Sequence, residues 1–140
     1  EAINANVKPN ANDKLLSGVS ILLVDDNPMN VLVAQTYLKR WGATTDVATN
    51  GQEALDKLDT SKHRLVLMDL QMPVMDGYES TKKMRLNGIN IPIIALTANL
   101  PKDVEDEAYK TGFDDIVMKP FLPDELHSKV LHHVFKQEHV

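Results

Sequence analysis

The stretch LVLMDLQMPVMDG, residues 65–77, decides how the rest of the chain is read. Leu65, Val66, Leu67 and Met68 form an apolar run with the length and composition of a buried strand. The chain then sets a carboxylate, Asp69, directly at the strand's end. A buried charge is costly unless it is paired, hydrogen-bonded or bound to a metal. Further on, Asp76-Gly77 is a turn pair suited to opening a helix, a structural role. The segment is thus a strand, an acid at its carboxyl end, and a turn into a helix running from about Tyr78 to Leu86.

The same unit recurs on both sides. SILLV (20–24) is an apolar run followed by DDNP, in which Asn27 suits a helix cap and Pro28 a first turn. Leu32, Tyr37, Leu38 and Trp41 then supply a helix that Gly42 ends. TTDVA (44–48) reads as a weaker strand and GQEALDKL (51–58) as its helix. PIIAL (92–96) precedes an acidic helix opened by Pro101 and closed by Gly112. DIVM (115–118) leads to a last helix from near Pro123, with Leu126, Val130, Leu131 and Val134 at helical spacing. Short strands alternating with helices imply an α/β class: a (βα)5 doubly wound parallel sheet, helices on both faces. Right-handed crossovers leave few orders, of which the flavodoxin-like 2-1-3-4-5 is the commonest; periodicity alone leaves others open.

In such sheets ligands bind beyond the carboxyl ends of the strands, near the point where strand order reverses. The residues there are Asp25 and Asp26 after the first strand, Asp69 after the third, Thr97 after the fourth and Lys119 after the fifth. ATNG, after the second, carries no charge. Taken singly, an acidic pair is more often a helix-start signal, a Thr a cap and a Lys a solvated charge. Their coincidence at four strand ends favours a site. Strands 1 and 3 would be neighbours, so three carboxylates would converge, and a hard cation with oxygen ligands relieves their repulsion. Mg²⁺ fits best. A carboxylate is also a nucleophile toward phosphoryl groups, and Lys119 and Thr97 supply donors to phosphoryl oxygens. The chemistry this points to is phosphoryl transfer to Asp69.

Composition narrows the classes. The chain has 140 residues, 43% of them hydrophobic, enough for one domain with a proper core. It contains no cysteine, which removes disulfides, thiolate metal sites and cysteine nucleophiles and fits a reducing compartment. A net charge of −5 with no Lys/Arg cluster argues against nucleic acid. No apolar run could span a bilayer, no leader opens the chain, and a cytoplasmic setting without direct membrane contact is expected. Residues 1–17 read as a linker or flexible arm and 18–138 as the domain. The start at Glu1 rather than Met points to a piece of something longer.

Across about residues 19–137 the sequence resembles the receiver domain of two-component response regulators. The motifs that carry the likeness are ILLVDDN, VLMDLQMPVMDG, IIALTA and VMKPF, in that order. The resemblance implies that Asp69 is the phosphoacceptor, taking its phosphoryl group from a phosphohistidine. It implies Mg²⁺ bound by Asp25, Asp26, Asp69 and the backbone carbonyl of Gln71, and Thr97 and Lys119 on the phosphoryl group. It also implies a cis Lys119–Pro120 peptide. Phosphorylation in the family draws the Thr hydroxyl inward and an aromatic follows it; here Ile116 stands in the aromatic's place. Gln71 and Asn99 flank the site as candidates for tuning hydrolysis. The output face is expected around the fourth helix and fifth strand, including Val104, Ala108 and Tyr109. Such a domain catalyses part of its own phosphorylation and dephosphorylation without being a turnover enzyme.

Within the family, DDNPMNVLVAQTYLKRWG and DLQMPVMDG look most like receivers of hybrid sensor histidine kinases. The partners implied are a histidine kinase or its phosphohistidine domain and a downstream phosphotransfer protein. The parent chain would then be a histidine kinase, its receiver the cytoplasmic part of a membrane-anchored protein. A stand-alone single-domain regulator fits the same features. A degenerate receiver acting only as a binding module should lack an acid, the Thr or the Lys, and all are present. A flavodoxin-like carrier would have to place a flavin phosphate against the two charges of DDNP. A phosphatase of the haloacid dehalogenase type would carry Asp-x-Asp after strand 1. His127, His132, His133 and His139 are expected on a solvated face, and Met68, Met72, Met75 and Met84 as packing residues.

Overall fold

The computed structural model describes residues 15–136. Five strands alternate with five helices: β1 (Ser20–Val24), α1 (Pro28–Arg40), β2 (Thr44–Ala48), α2 (Gly51–Lys57), β3 (His63–Asp69), α3 (Gly77–Leu86), β4 (Ile93–Thr97), α4 (Lys102–Thr111), β5 (Asp115–Met118) and α5 (Pro123–Lys136). Every strand pair is parallel and the order is β2-β1-β3-β4-β5, the doubly wound arrangement expected. β3 is longer than its apolar run at both ends, because His63 pairs with Ser20 and Asp69 with Leu96. Asp69 is therefore the last residue of the strand, and Thr97 the last of β4.

Strand side chains alternate between two cores, as a pleated strand requires. Ile21, Leu23, Leu65, Leu67, Ile94, Leu96 and Val117 pack with Ala34 and Leu38 of α1 and Leu126, Val130 and Val134 of α5. Leu22, Val24, Val66, Met68, Ile93, Ala95 and Ile116 face the other way, with Ala54, Met84 and Ala108 of α2, α3 and α4. Burying one such Leu or Ile contributes roughly 1.5–3 kcal/mol, so this two-sided core dominates the stability.

The helix starts follow local chemistry. The Asn27 side chain accepts from the N–H of Met29 at 2.8 Å, Asn50 from Glu53 at 2.9 Å and Asp76 from Glu79 at 2.9 Å. These are N-caps, and they fix where each loop at the carboxyl edge of the sheet ends.

Three expectations change. Residues 1–14 lie outside the described residues, but the end of the expected arm belongs to the fold. Leu16 is fully buried, and its N–H donates to the Trp41 carbonyl at 2.9 Å. Gly42, at φ 99°, leaves room for this strap, since a Cβ there would stand 2.8 Å from the Ser17 nitrogen. Second, the histidines of α5 do not share a solvated face. His132 is exposed, but His133 is buried with Nε2 2.8 Å from Asp115 Oδ2, and the His127 ring lies 4.5 Å from that of Trp41. His139 lies outside the described residues. Third, Ala108 is fully buried, so it presents nothing on the outer side of α4, where Tyr109 is exposed.

Candidate functional site

The site grows out of the sheet's register. Val24 of β1 pairs with Met68 of β3, so one residue further on Asp25 and Asp69 stand side by side at the switch between β2-β1 and β3-β4-β5. Carboxylate oxygens of Asp25, Asp26 and Asp69 lie within 4.8 Å of one another. Asp25 and Asp69 are buried, at 1% and 6% exposure, while Asp26 faces solvent. One side of the cluster is thus protein and the other is open.

Each buried acid also holds its own loop. Asp25 Oδ1 accepts from the Asn27 N–H at 2.9 Å, and Asp69 Oδ1 from the Gln71 N–H at 3.3 Å. Such Asx bonds close tight turns after the strands and aim the remaining oxygens outward. Lys119 reaches in from the end of β5, its Nζ 3.4 Å from both Asp25 Oδ2 and Asp69 Oδ1. Its backbone is tied to β4, since the Lys119 N–H donates to the Thr97 carbonyl at 2.8 Å. The Lys119–Pro120 peptide is cis, as expected.

Burial, and then the neighbouring charge of Asp25, push the Asp69 carboxyl up to about 6, against the pull of Lys119 and the Gln71 N–H. One ammonium therefore does not offset this much buried negative charge. Three hard oxygen donors with an open side are the ligand set of a small divalent cation, and Mg²⁺ suits a few carboxylates with waters in the other positions. The donor chemistry and the uncompensated repulsion both fit that ion.

Backbone packing holds Asp69 from behind. Gly77 opens α3 directly against the strand end, its N–H donating to the Leu70 carbonyl at 3.0 Å. A Cβ on Gly77 would run into the Asp69 carbonyl oxygen. The Gly51 N–H donates to the Met75 carbonyl at 2.8 Å, tying the same loop to α2.

The structure brings together Asp25, Asp26, Asp69 and Lys119. Thr97 lies at the adjoining end of β4, where its hydroxyl donates to the Asn99 carbonyl at 2.7 Å within the following loop. Ile116 is buried in the core with Phe113, two residues back along β5 from Met118. Two features were not found from sequence. One is the His133–Asp115 clip, for which a histidine at the spacing of Val130 and Val134 gave only a faint signal. The other is the backbone at Val74, which has φ 69° in the loop following Asp69.

The profile of the response regulator receiver domain matches residues 21–131. The chain belongs to that family. As a receiver domain it is a phosphorelay module of two-component signalling. It is 36% identical over 135 residues to Histidine kinase 5 of Arabidopsis thaliana, an alignment covering 76% of this chain and 15% of that protein. The receiver thus spans about a seventh of that relative's length. It superposes with a TM-score of 0.75 and 34% identity on the receiver domain of the sensor histidine kinase PA1611 from Pseudomonas aeruginosa, covering 84% of this chain and 98% of that one. That structure holds a magnesium ion in its active-site cleft. A TM-score of 0.79 with 28% identity relates it to the receiver of the Saccharomyces cerevisiae response regulator Ssk1, solved with the histidine phosphotransfer protein Ypd1, over 86% of this chain and 92% of that one.

Proposed function

We propose that this receiver accepts a phosphoryl group from a phosphohistidine onto Asp69, and that Asp25, Asp26, Asp69 and the Gln71 carbonyl hold Mg²⁺ while it does so. The observation that carries this reading is the bridging of Asp25 and Asp69 by Lys119 at 3.4 Å beside the open side of a three-carboxylate cluster. Mg²⁺, when bound, neutralises the acids and takes up charge on the phosphoryl oxygens. An Asp69 oxygen attacks phosphorus as the bond to the donor's nitrogen breaks. Lys119 holds one phosphoryl oxygen by its ammonium. Thr97 exchanges its bond to the Asn99 carbonyl for another phosphoryl oxygen, a rotation between staggered positions.

That rotation frees the loop after β4 and is the local event of the switch. Ile116 has neither ring nor hydroxyl to follow it, so the switch here rests on Thr97 and the β4–α4 loop, acting on the face of α4 and β5. The likeness to Histidine kinase 5 and to the PA1611 receiver supports a place within a hybrid sensor kinase, handing its phosphoryl group to a phosphotransfer protein in the cytoplasm. No helix among the described residues is long and apolar enough to cross a membrane. Intact-mass analysis after incubation with acetyl phosphate, with and without Mg²⁺, tests the reading. One labile phosphoryl group that requires Mg²⁺ and is lost in Asp69→Asn is the expected result; no mass gain under any condition overturns it.

A further inference from the structure

Glycines aside, Val74 alone among the described residues has a positive φ, 69°. The Met75 N–H donates to the Pro73 carbonyl at 2.7 Å, closing a three-residue γ-turn with Val74 at its centre. With φ positive this is the strained form of the turn, and a β-branched residue fits it badly. Packing gives nothing back, because the Val74 side chain is 82% exposed. Such strain persists only where the surrounding backbone imposes it.

The two sides of the turn are held unequally. After it, Met75 is buried and its carbonyl accepts from the Gly51 N–H at 2.8 Å. Asp76 caps α3 through the Glu79 N–H at 2.9 Å, and the Gly77 N–H returns to the Leu70 carbonyl at 3.0 Å. Leu70 is itself buried, its N–H donating to the Leu96 carbonyl at 3.2 Å. Both ends of the loop are thus fixed, and the span from Gln71 to Val74 has to take up any relaxation.

Within that span Gln71 and Pro73 are exposed and Met72 is half-buried. The ring of Pro73 fixes its φ, and the residue before a proline is confined to extended backbone. The span therefore moves as one piece from a pivot at Gln71. It is tied to the site by the Gln71 N–H, which reaches Asp69 Oδ1 at 3.3 Å, beyond the usual range for such a bond. The side of the turn that can yield is the side that carries the Gln71 carbonyl.

We infer that Val74 is a positioning residue for the cation: its strain draws the Gln71 carbonyl off its place, so that Mg²⁺ binding and closure of the γ-turn are coupled. This rests on the metal-site reading above, in which that carbonyl is a ligand. The strain of one such residue is comparable to the net contribution of one or two hydrogen bonds, which is what holds the span. Closed and relaxed turns are therefore close in free energy without the ion. An ion that binds only the closed form has its affinity reduced by the fraction of molecules in that form. The residue at position 74 thus sets how much Mg²⁺ the site needs.

The test compares the wild type with Val74→Ala, which keeps the Cβ but loses the branch, and Val74→Gly, which removes the strain. Mg²⁺ titrations of the unphosphorylated proteins, followed by amide NMR shifts, should give tighter binding in both variants. Glycine should bind about threefold to tenfold more tightly than valine, with alanine between them. Hydrogen exchange without metal separates this from a general gain in stability. The Met75 amide closes the γ-turn and the Gly51 amide lies on the fixed side. Val74→Gly should protect Met75 several-fold more than it protects Gly51. Equal dissociation constants in the three proteins, or weaker binding by either variant, overturn the inference. So does a gain in protection shared equally by the two amides, which marks a merely structural role. A wild type that binds no Mg²⁺ at all is a distinct result: it sinks the metal-site reading, and the inference with it.

Discussion

Lys119 Nζ lies 3.4 Å from Asp69 Oδ1, although Lys119 follows β5 and Asp69 ends β3, with β4 between the two strands. The same ammonium is 3.4 Å from Asp25 Oδ2, so the two buried acids share it. Lys119→Met keeps the stem and removes the charge. Phosphorylation by acetyl phosphate is expected to slow by roughly a hundredfold, as for losing one preorganised donor to developing charge. Without the ammonium the Asp69 carboxyl should also titrate higher than in the wild type, readable by NMR of the labelled carboxyl carbon. An unchanged rate would remove Lys119 from the site.

The buried charge on Asp69 has a consequence for stability. Its carboxyl is pushed up to about 6 by burial and by Asp25. A carboxyl raised in the folded state stabilises fully while protonated, below about pH 4, and that contribution is lost as pH rises through the raised value. In a metal chelator, Asp69→Asn should therefore be more stable than the wild type at pH 7.5, by on the order of 1–3 kcal/mol in urea unfolding. The two proteins should converge near pH 4.5, and Mg²⁺ should stabilise the wild type more than the variant. A constant gap across that range would refute the account.

Gly77 carries the opposite kind of prediction. A Cβ there meets the Asp69 carbonyl oxygen, and backbone on both sides cannot yield as a flexible side chain would. Gly77→Ala is expected to cost about 1–3 kcal/mol, the usual cost of overpacking. Displacing the strand end should also slow acetyl phosphate labelling. A variant with wild-type stability and rate would show that the contact is not as tight as described.

At the far edge of the sheet, burial pushes the Asp115 carboxyl up, but the His133 hydrogen bond, the Ile116 N–H and Lys129 together hold it below its ordinary value. A carboxyl depressed in this way stabilises above the ordinary carboxylate range, and the contribution is lost as pH falls through its lowered value. His133→Leu should thus destabilise the protein at pH 7 by about 1–2 kcal/mol, leaving a half-buried carboxylate short of a partner. The deficit should shrink as the pH falls below about 4. Thermal unfolding of both proteins between pH 3 and 7 decides the matter.

Much of this molecule is legible in its sequence. The alternation of short apolar runs with helical stretches, the caps at Asn27 and Asp76, and the polar residues following SILLV, LVLM, PIIAL and DIVM are local signals. Each is encoded within a few residues by side-chain size, hydrogen-bonding groups or backbone freedom. They were enough for the fold class, for the candidate site and for the family resemblance. The misreadings came where a residue's setting is decided by distant chain. Leu16 looked like part of an arm because its partner, Trp41, lies a whole helix and strand away. His133 looked solvated because only the packing of α5 against β5 places it beside Asp115. Ala108 looked like part of a face because helical spacing does not say which side of α4 meets the sheet. No property of the loop sequence announced the γ-turn at Val74, which is imposed by anchors at Gly51 and Leu70, or the direction of the Thr97 hydroxyl. The sequence by itself determined which groups are present and at which strand ends they fall, because strand ends are local. Only the tertiary structure decided which of them touch, because strand order, burial and strain depend on contacts between segments far apart in the chain.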